Sequence, residues 1–397
     1  MPRRLAAIVF IFLCTSAAWM ILGATVMFRT YSADAALGGR VASSWGTALA
    51  QKPPQCTVKP DGEGGRCTRL TLAGSRIDVA LDLQPRRKGF LWYSTYGATF
   101  QAKYTFEAPP APHATFRLPL PALQAVYDGV QLDVDGVPVT WTRSDDGLVA
   151  TVDVAPGTPH VFGVRYRTRG LDSWRYEIDD RSAPVRDFAL DLRANFRNVD
   201  FPASTLSPTS VRPDGAGVHL TWAFEDLVSG LPIQVTTPAR LQPGPVTGRI
   251  AFFAPVSLLF FFFVLLVITT VRRVELHPMN YFFLAAAFFA FHLLLAYLAD
   301  QVPIHWAFAV AAATSVFLVV SYLRLVVGLR FALVEAGLAQ AVYLVLFSSA
   351  FFLEGLTGLA VTIGAVITLF VTMQVTARIR WAERFARPVA APAPEPR

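Results

Sequence analysis

The residues of this chain best suited to chemistry lie in its apolar half. His292, Glu335 and Gln340 sit inside long hydrophobic runs. Ionisable groups are costly in hydrocarbon, so these are the candidate intramembrane polar residues, for a proton relay, a substrate contact or an interhelical hydrogen bond. Asp300, His305 and Glu354 fall at run ends on one side. They form a candidate outer-face cluster with the side-chain types of an acid–base or metal site, or simply solvated helix ends. At about 1.5 Å of rise per residue, His292 is about 18 Å from the inner end of its run, Gln340 about 13 Å and Glu335 about 6 Å. His292 and Gln340 are therefore expected to hydrogen-bond between helices. Glu335 is expected to pair with Arg324 or Arg330 at the inner interface.

No HExxH, CxxC, GxSxG, Walker or Rossmann pattern stands in its required context. The carboxylate pairs Asp145–Asp146 and Asp179–Asp180 fall in turns, and sequence cannot space them around a glycosidic bond. No catalytic residue, metal ligand or cofactor is assigned, and a protein without enzymatic activity is expected.

The elements that carry these residues are membrane spans. Leu5–Phe28, Ile250–Val271, Asn280–Ala299, Ile304–Leu323, Phe331–Leu353 and Leu356–Ala377 are each long enough to cross a bilayer. The first has 24 residues and follows Arg3 and Arg4. It exceeds a signal-peptide core, so an uncleaved anchor is expected, although Ala33-Asp34-Ala35 has the form of a cleavage site. Arg272, Arg273, Arg324, Arg330, Arg378, Arg380, Arg384 and Arg387 lie on the same side as Arg3 and Arg4. The opposite gaps, Asp300–Pro303 and Glu354-Gly355, carry no Lys or Arg. The arginine side is therefore expected in the cytoplasm, with both termini, and residues 30–248 outside.

Charge supports this division. Residues 30–248 hold 22 Lys+Arg and 22 Asp+Glu, so the formal +7 belongs to the hydrophobic segments and their flanks. A nucleic-acid binder would place the excess on its soluble part, so that class is excluded.

Period-two alternation fills residues 30–248. Ile77, Val79, Leu81 and Leu83 alternate with polar or small residues, as do Val130–Val134, Ala150–Val154, Phe188–Phe196 and Val218–Phe224. With turn signals at Asp135-Gly136, Asp146-Gly147 and Asp214-Gly215, this predicts antiparallel strands in one or two sandwich-like units. Pro109–Pro112 marks a subdivision near residue 110, and Gln242–Pro245 a stiff linker. Cys56 and Cys67 flank a Gly-rich stretch and are expected to form a disulfide in an oxidising compartment. Cys14 lies inside the first span and fills space. Trp92, Tyr93, Tyr96, Trp174 and Tyr176 read as core or as a binding platform. Arg165, Arg167 and Arg169 read as a solvated face or as a patch for anionic headgroups or polysaccharide.

The segment Glu275-Leu276-His277-Pro278-Met279-Asn280-Tyr281 opens a helix that closes on Leu298-Ala299-Asp300. With the closing Ala377-Arg378-Ile379-Arg380-Trp381, it resembles the CreD family of bacterial inner-membrane proteins. The resemblance covers roughly residues 250–382. An acidic residue is expected before the tryptophan, where this chain has Arg380. The resemblance implies an envelope-maintenance or stress-response role, and it supplies no catalytic residues.

The chain is thus expected to be a membrane α+β protein of the bacterial inner membrane. Residues 1–29 would be the anchor, 30–248 a periplasmic β-rich domain, 249–382 a five-helix bundle and 383–397 a disordered tail. Its expected partners are membrane lipid, an envelope polysaccharide or another envelope protein, and no nucleic acid. Two alternatives remain: a transporter or lipid-handling protein, and a membrane enzyme built on the outer-face cluster.

Overall fold

The computed structural model of the protein describes residues 2–58, 67–178, 185–353 and 355–377. Glu354, Asp179–Asp180, the Gly-rich stretch after Cys56 and the chain from Arg378 onward lie outside the described residues. The chain divides into two compact units, Ala33–Leu241 and Met1–Ser32 with Gln242–Arg397.

In the β unit, alternation becomes an eight-stranded sheet. Its spatial order is Val137–Pro138, Tyr127–Val134, His160–Leu171, Thr95–Phe106, Leu72–Leu83, Val185–Ala194, Gly217–Leu227 and Ser210–Asp214. Ile77, Val79 and Leu81 point inward while Asp78 and Ala80 are exposed. The longer strands bury one face in this way. A five-stranded sheet contributes Cys56, Val58, Phe116, Leu118 and Leu148 to the same core. Phe116 stacks on Phe162 of the large sheet with ring centroids 4.7 Å apart. Residues before and after Pro109–Pro112 share this core. Tyr96, Trp174 and Tyr176 are buried within it, which places these aromatics in packing.

The sheets are antiparallel-rich, as expected, with two parallel pairs that the sequence did not indicate. Val185–Ala194 runs parallel to Leu72–Leu83, with Phe188 opposite Ser75 and Ala194 opposite Leu81. Leu49–Gln51 is likewise parallel to Ser173–Tyr176. Alternation reports which face is buried and carries no information about strand direction.

The disulfide is also not formed: Cys56 and Cys67 are free. Thr57 pairs with Arg69 and Val58 with Thr68. Side chains alternate along a strand, so this register directs Cys56 into the core with Val58 and Cys67 toward the opposite face. Cys56 is fully buried, and burial pushes its thiol pKa up to about 12.

At the Asp135-Gly136 turn both residues have positive φ, 55° and 80°, as the sequence signal requires. Asp135 accepts from the Val161 amide at 2.9 Å and from His160 Nδ1 at 2.6 Å. His160 Nε2 lies 2.9 Å from the Ala155 carbonyl. Both neighbours only accept, so the imidazolium, donating from both nitrogens, fits best. Burial opposes the cation, but the Ala155 carbonyl and the Asp135 carboxylate outweigh it and raise the His160 pKa. Burial likewise opposes the Asp135 carboxylate, but the Val161 amide and His160 lower its pKa.

The membrane unit consists of helices. Helix α1 spans Pro2–Trp45, α2 Pro243–Arg272, α3 Pro278–Leu298 and α4 Ile304–Val326. Helix α5 spans Phe331–Phe352 and α6 Thr357–Thr376. All six are long and apolar enough to cross a membrane. Helix α2 starts at Pro243, earlier than the expected linker allows, because proline is compatible with a first helical turn. Helix α5 contains π-helical turns at Phe331–Ala336 and Ala341–Leu346.

Helix α1 continues well past its apolar run. Ala33, Leu37, Val41 and Trp45 recur at four-residue spacing, one face of a helix. Within the β unit this face packs on Phe90, Leu91, Tyr93 and Leu171. The Arg86 and Arg169 guanidinium groups stand 3.5 and 4.4 Å from the Trp45 ring centroid. Ala33-Asp34-Ala35 is therefore helical.

Two outcomes follow from the β unit. In a Cys14→Ala background, a maleimide should label Cys67 in the native protein and reach Cys56 only after denaturation. Labelling of both thiols at equal rates would contradict the burial. The His160 contribution should be complete below the ordinary imidazole range and fade as pH rises through the raised pKa. The Asp135 contribution should be complete above the ordinary carboxyl range and fade as pH falls through the lowered pKa. His160→Gln should therefore cost about 1 kcal/mol near pH 5 to 6, and less at pH 8 and above, measured as the melting temperature of the β unit.

Candidate functional site

The expected polar residues of the membrane unit prove to be hooks between helices. Gln340 is fully buried on α5 and donates from Nε2 to Ser315 Oγ of α4 at 2.8 Å. Ser315 donates in turn to the Ala287 carbonyl of α3 at 2.7 Å. This chain of bonds ties α3, α4 and α5 together and corrects the expected His292–Gln340 bond. Similar depth does not make two residues face each other, and Gln340 faces α4.

His292 looks the other way. Its Nδ1 is 2.9 Å from the Phe288 carbonyl, one turn back in its own helix. Its ring meets Trp19 of α1 edge-on, with centroids 5.5 Å apart. Trp19 is fully buried and also contacts Phe289 at 5.9 Å. His292 Nε2, Trp19 Nε1 and Ser16 Oγ are buried without a hydrogen-bond partner among the described residues. The His292 environment is thus the seam between α1 and α3.

Glycines let the same helix approach α2. A Cβ on Gly248 would lie 2.9 Å from Met27 Cγ, and one on Gly244 would collide with Thr30 Oγ1. Gly244 and Gly248 are four residues apart, so both lie on one face and form a close-packing groove for α1. Where the apolar run of α1 ends, Arg29 pairs with Asp300 at 2.7 Å and lies 5.5 Å from the Tyr297 ring centroid. At the other end, Arg4 donates to the Leu276 carbonyl.

Of the outer-face cluster, then, Asp300 is engaged by Arg29 on α1. His305 packs against the Phe352 ring at 5.3 Å, and Glu354 lies outside the described residues. No group of three metal-ligating side chains occurs among the described residues. Glu335 pairs with Arg272 of α2 at 3.0 Å, where Arg324 or Arg330 was expected. Depth correctly put Glu335 within reach of an arginine at a helix end, but the neighbour is a different one. His277 caps α3 by accepting from the Met279 amide. Trp19, Arg29 and Ser315 were missed as partners. A tryptophan at mid-span and an arginine closing an apolar run were the available signals.

These features define a multi-pass membrane protein carrying a large β unit. Residues 245–382 match the family model described as inner membrane protein CreD. In its membrane region the chain is CreD-like. No curated protein matches it. A Legionella pneumophila protein whose name proposes nutrient binding is 11% identical, with a TM-score of 0.35, and the match covers 53% of this chain and 76% of that one. An M1 zinc metallopeptidase from Deinococcus radiodurans is 12% identical, with a TM-score of 0.28 and 42% of each chain covered. Native yeast LTA4 hydrolase is 10% identical, with a TM-score of 0.21, covering 51% of this chain and 38% of that one. Similarity at these scores carries no conclusion about this protein.

Asp300→Ala should destabilise the membrane unit by about 1 kcal/mol, since it removes the carboxylate that faces a partly buried arginine. The exchange Arg29→Asp with Asp300→Arg should recover part of that loss in a detergent melting assay. Additive losses in the double variant would remove the pair from the account.

Proposed function

We propose that this is an inner-membrane protein of CreD type that acts by binding rather than by catalysis, holding its β unit in the periplasm against an envelope glycan. The observation that carries the proposal is the polar face of the eight-stranded sheet. Gln131, Arg165, Gln101, Asp78 and Asp191 stand opposite one another on successive strands. The first four are exposed. Neighbouring strands are about 4.8 Å apart, so the row spans roughly 19 Å. Donors and acceptors repeating at this interval match the hydroxyl pattern of an extended sugar chain better than a compact metabolite, which prefers a concave pocket.

The neighbouring charges are largely committed. Arg167 pairs with Asp128 at 2.7 Å, and Asp191 accepts from Thr221 at 2.9 Å and lies 2.8 Å from His219 Nε2. Arg165 stands within the row, exposed and flanked by the amides of Gln131 and Gln101 on the adjacent strands. The arginine-rich ends of the helices support a cytoplasmic location for both termini and a periplasmic β unit. An envelope-integrity role follows from such a tether between membrane and wall.

The full-length protein in nanodiscs should be retained by purified cell-wall glycan. Arg165→Ala should weaken retention about tenfold, with an unchanged melting temperature. No retention of the wild type, or equal retention of the variant, would overturn the proposal.

A further inference from the structure

A groove runs between α3 and α4 at the end of the bundle that carries the arginines. Its volume is about 510 Å³, and it is lined by Phe283, Ala286, Ala287, Leu318, Tyr322 and Arg324 among others. Two alanines on α3 create the space, because a larger side chain on Ala286 would fill it. The walls are apolar along their length, and the polar groups gather at one end.

That end is electrically positive. Arg324 is exposed and has no hydrogen bond or ion pair among the described residues. Its neighbour Tyr322 donates to Asn280 Oδ1 at 2.8 Å, which fixes the phenol beside the start of α3. Arg324 lies in the last turn of α4, whose partial negative charge offsets that of the α3 N-terminus beside it, so the guanidinium is the charge left to meet an anion at this mouth. A cation and an apolar trough lie in sequence, as the phosphate and acyl chains of a lipid do.

We infer that this groove is a binding site for one anionic phospholipid. The phosphate sits at Arg324 and an acyl chain runs along Phe283, Ala286 and Leu318. Charge complementarity selects the headgroup: a zwitterionic lipid offers the same chains but adds a cation beside Arg324. The groove lies wholly within the membrane unit, so this inference is independent of the glycan proposal. It rests on the membrane location that the six apolar helices define. The bound lipid would act as a wedge that holds α3 and α4 at the spacing set by Ser315 and Tyr322.

The test is native mass spectrometry of the full-length protein released from nanodiscs containing equal phosphatidylglycerol and phosphatidylcholine. The wild type should retain one phosphatidylglycerol in preference to phosphatidylcholine. Arg324→Ala should lower that preference about fivefold, and Ala286→Trp should abolish retention while leaving Arg324 in place. Arg330→Ala, which removes a charge at the same boundary outside the groove, should change nothing. Equal retention of both lipids by the wild type would overturn the site. An equal loss from Arg330→Ala and Arg324→Ala would also overturn it, since a diffuse surface charge would then account for the binding.

Discussion

The docking of α1 into the bundle is the constraint on which the rest of the membrane unit depends. A single helix in lipid gains nothing from burying apolar side chains against other apolar helices, since the acyl chains are equally apolar. Association has to come from close packing and from polar groups with no better partner. Both are present on α1. Gly244 and Gly248 remove the side chains that would hold the helices apart. Trp19 fills the seam against His292, and Arg29 closes it on Asp300. The remaining helices follow the same rule through Gln340, Ser315 and Tyr343, the last of which donates to Thr368 of α6 at 2.9 Å.

This economy explains why the polar residues inside the spans need not be catalytic. In hydrocarbon an unpaired polar group is expensive, so each one present is under pressure to find a partner on a neighbouring helix. Gln340, Ser315, Glu335 and Asp300 have done so. The same helix that is fixed in the bundle also supplies Leu37, Val41 and Trp45 to the β unit. Its first part packs closely within the membrane unit, and its last turns make aromatic and cation–π contacts within the β unit.

Much of the architecture was legible in the sequence. Length and hydropathy located all six helices, and alternation at Ile77–Leu83 and Phe188–Phe196 identified strands with the buried face correctly assigned. Strand direction was not legible, because parallel and antiparallel neighbours bury the same residues. The extension of α1 was hidden by its composition: once the apolar run ends at Phe28, only the four-residue spacing of Ala33, Leu37, Val41 and Trp45 marks the helix. Partner identity inside the bundle was the least accessible feature. Depth along a span follows from counting, but the facing direction depends on rotation about the helix axis. The π-helical turns of α5 shift that rotation beyond what a regular 3.6-residue wheel gives, so Glu335 and Gln340 point to neighbours that counting could not name. The Cys56–Cys67 pairing failed for a related reason, since proximity in sequence does not determine which face of a hairpin a side chain takes.

The central claim is that α1 packs against α2 through the glycine face. The most direct measurement is oxidative cross-linking in native membranes of Thr30→Cys with Gly244→Cys, in a chain whose own three cysteines are replaced. A Cβ on Gly244 would stand 3.0 Å from that of Thr30, so the helices need to part by only about half an ångström to reach disulfide geometry. After oxidation and cleavage at an engineered protease site between the β unit and α2, the two fragments should migrate together and separate on reduction. Fragments that separate without reductant would contradict the account.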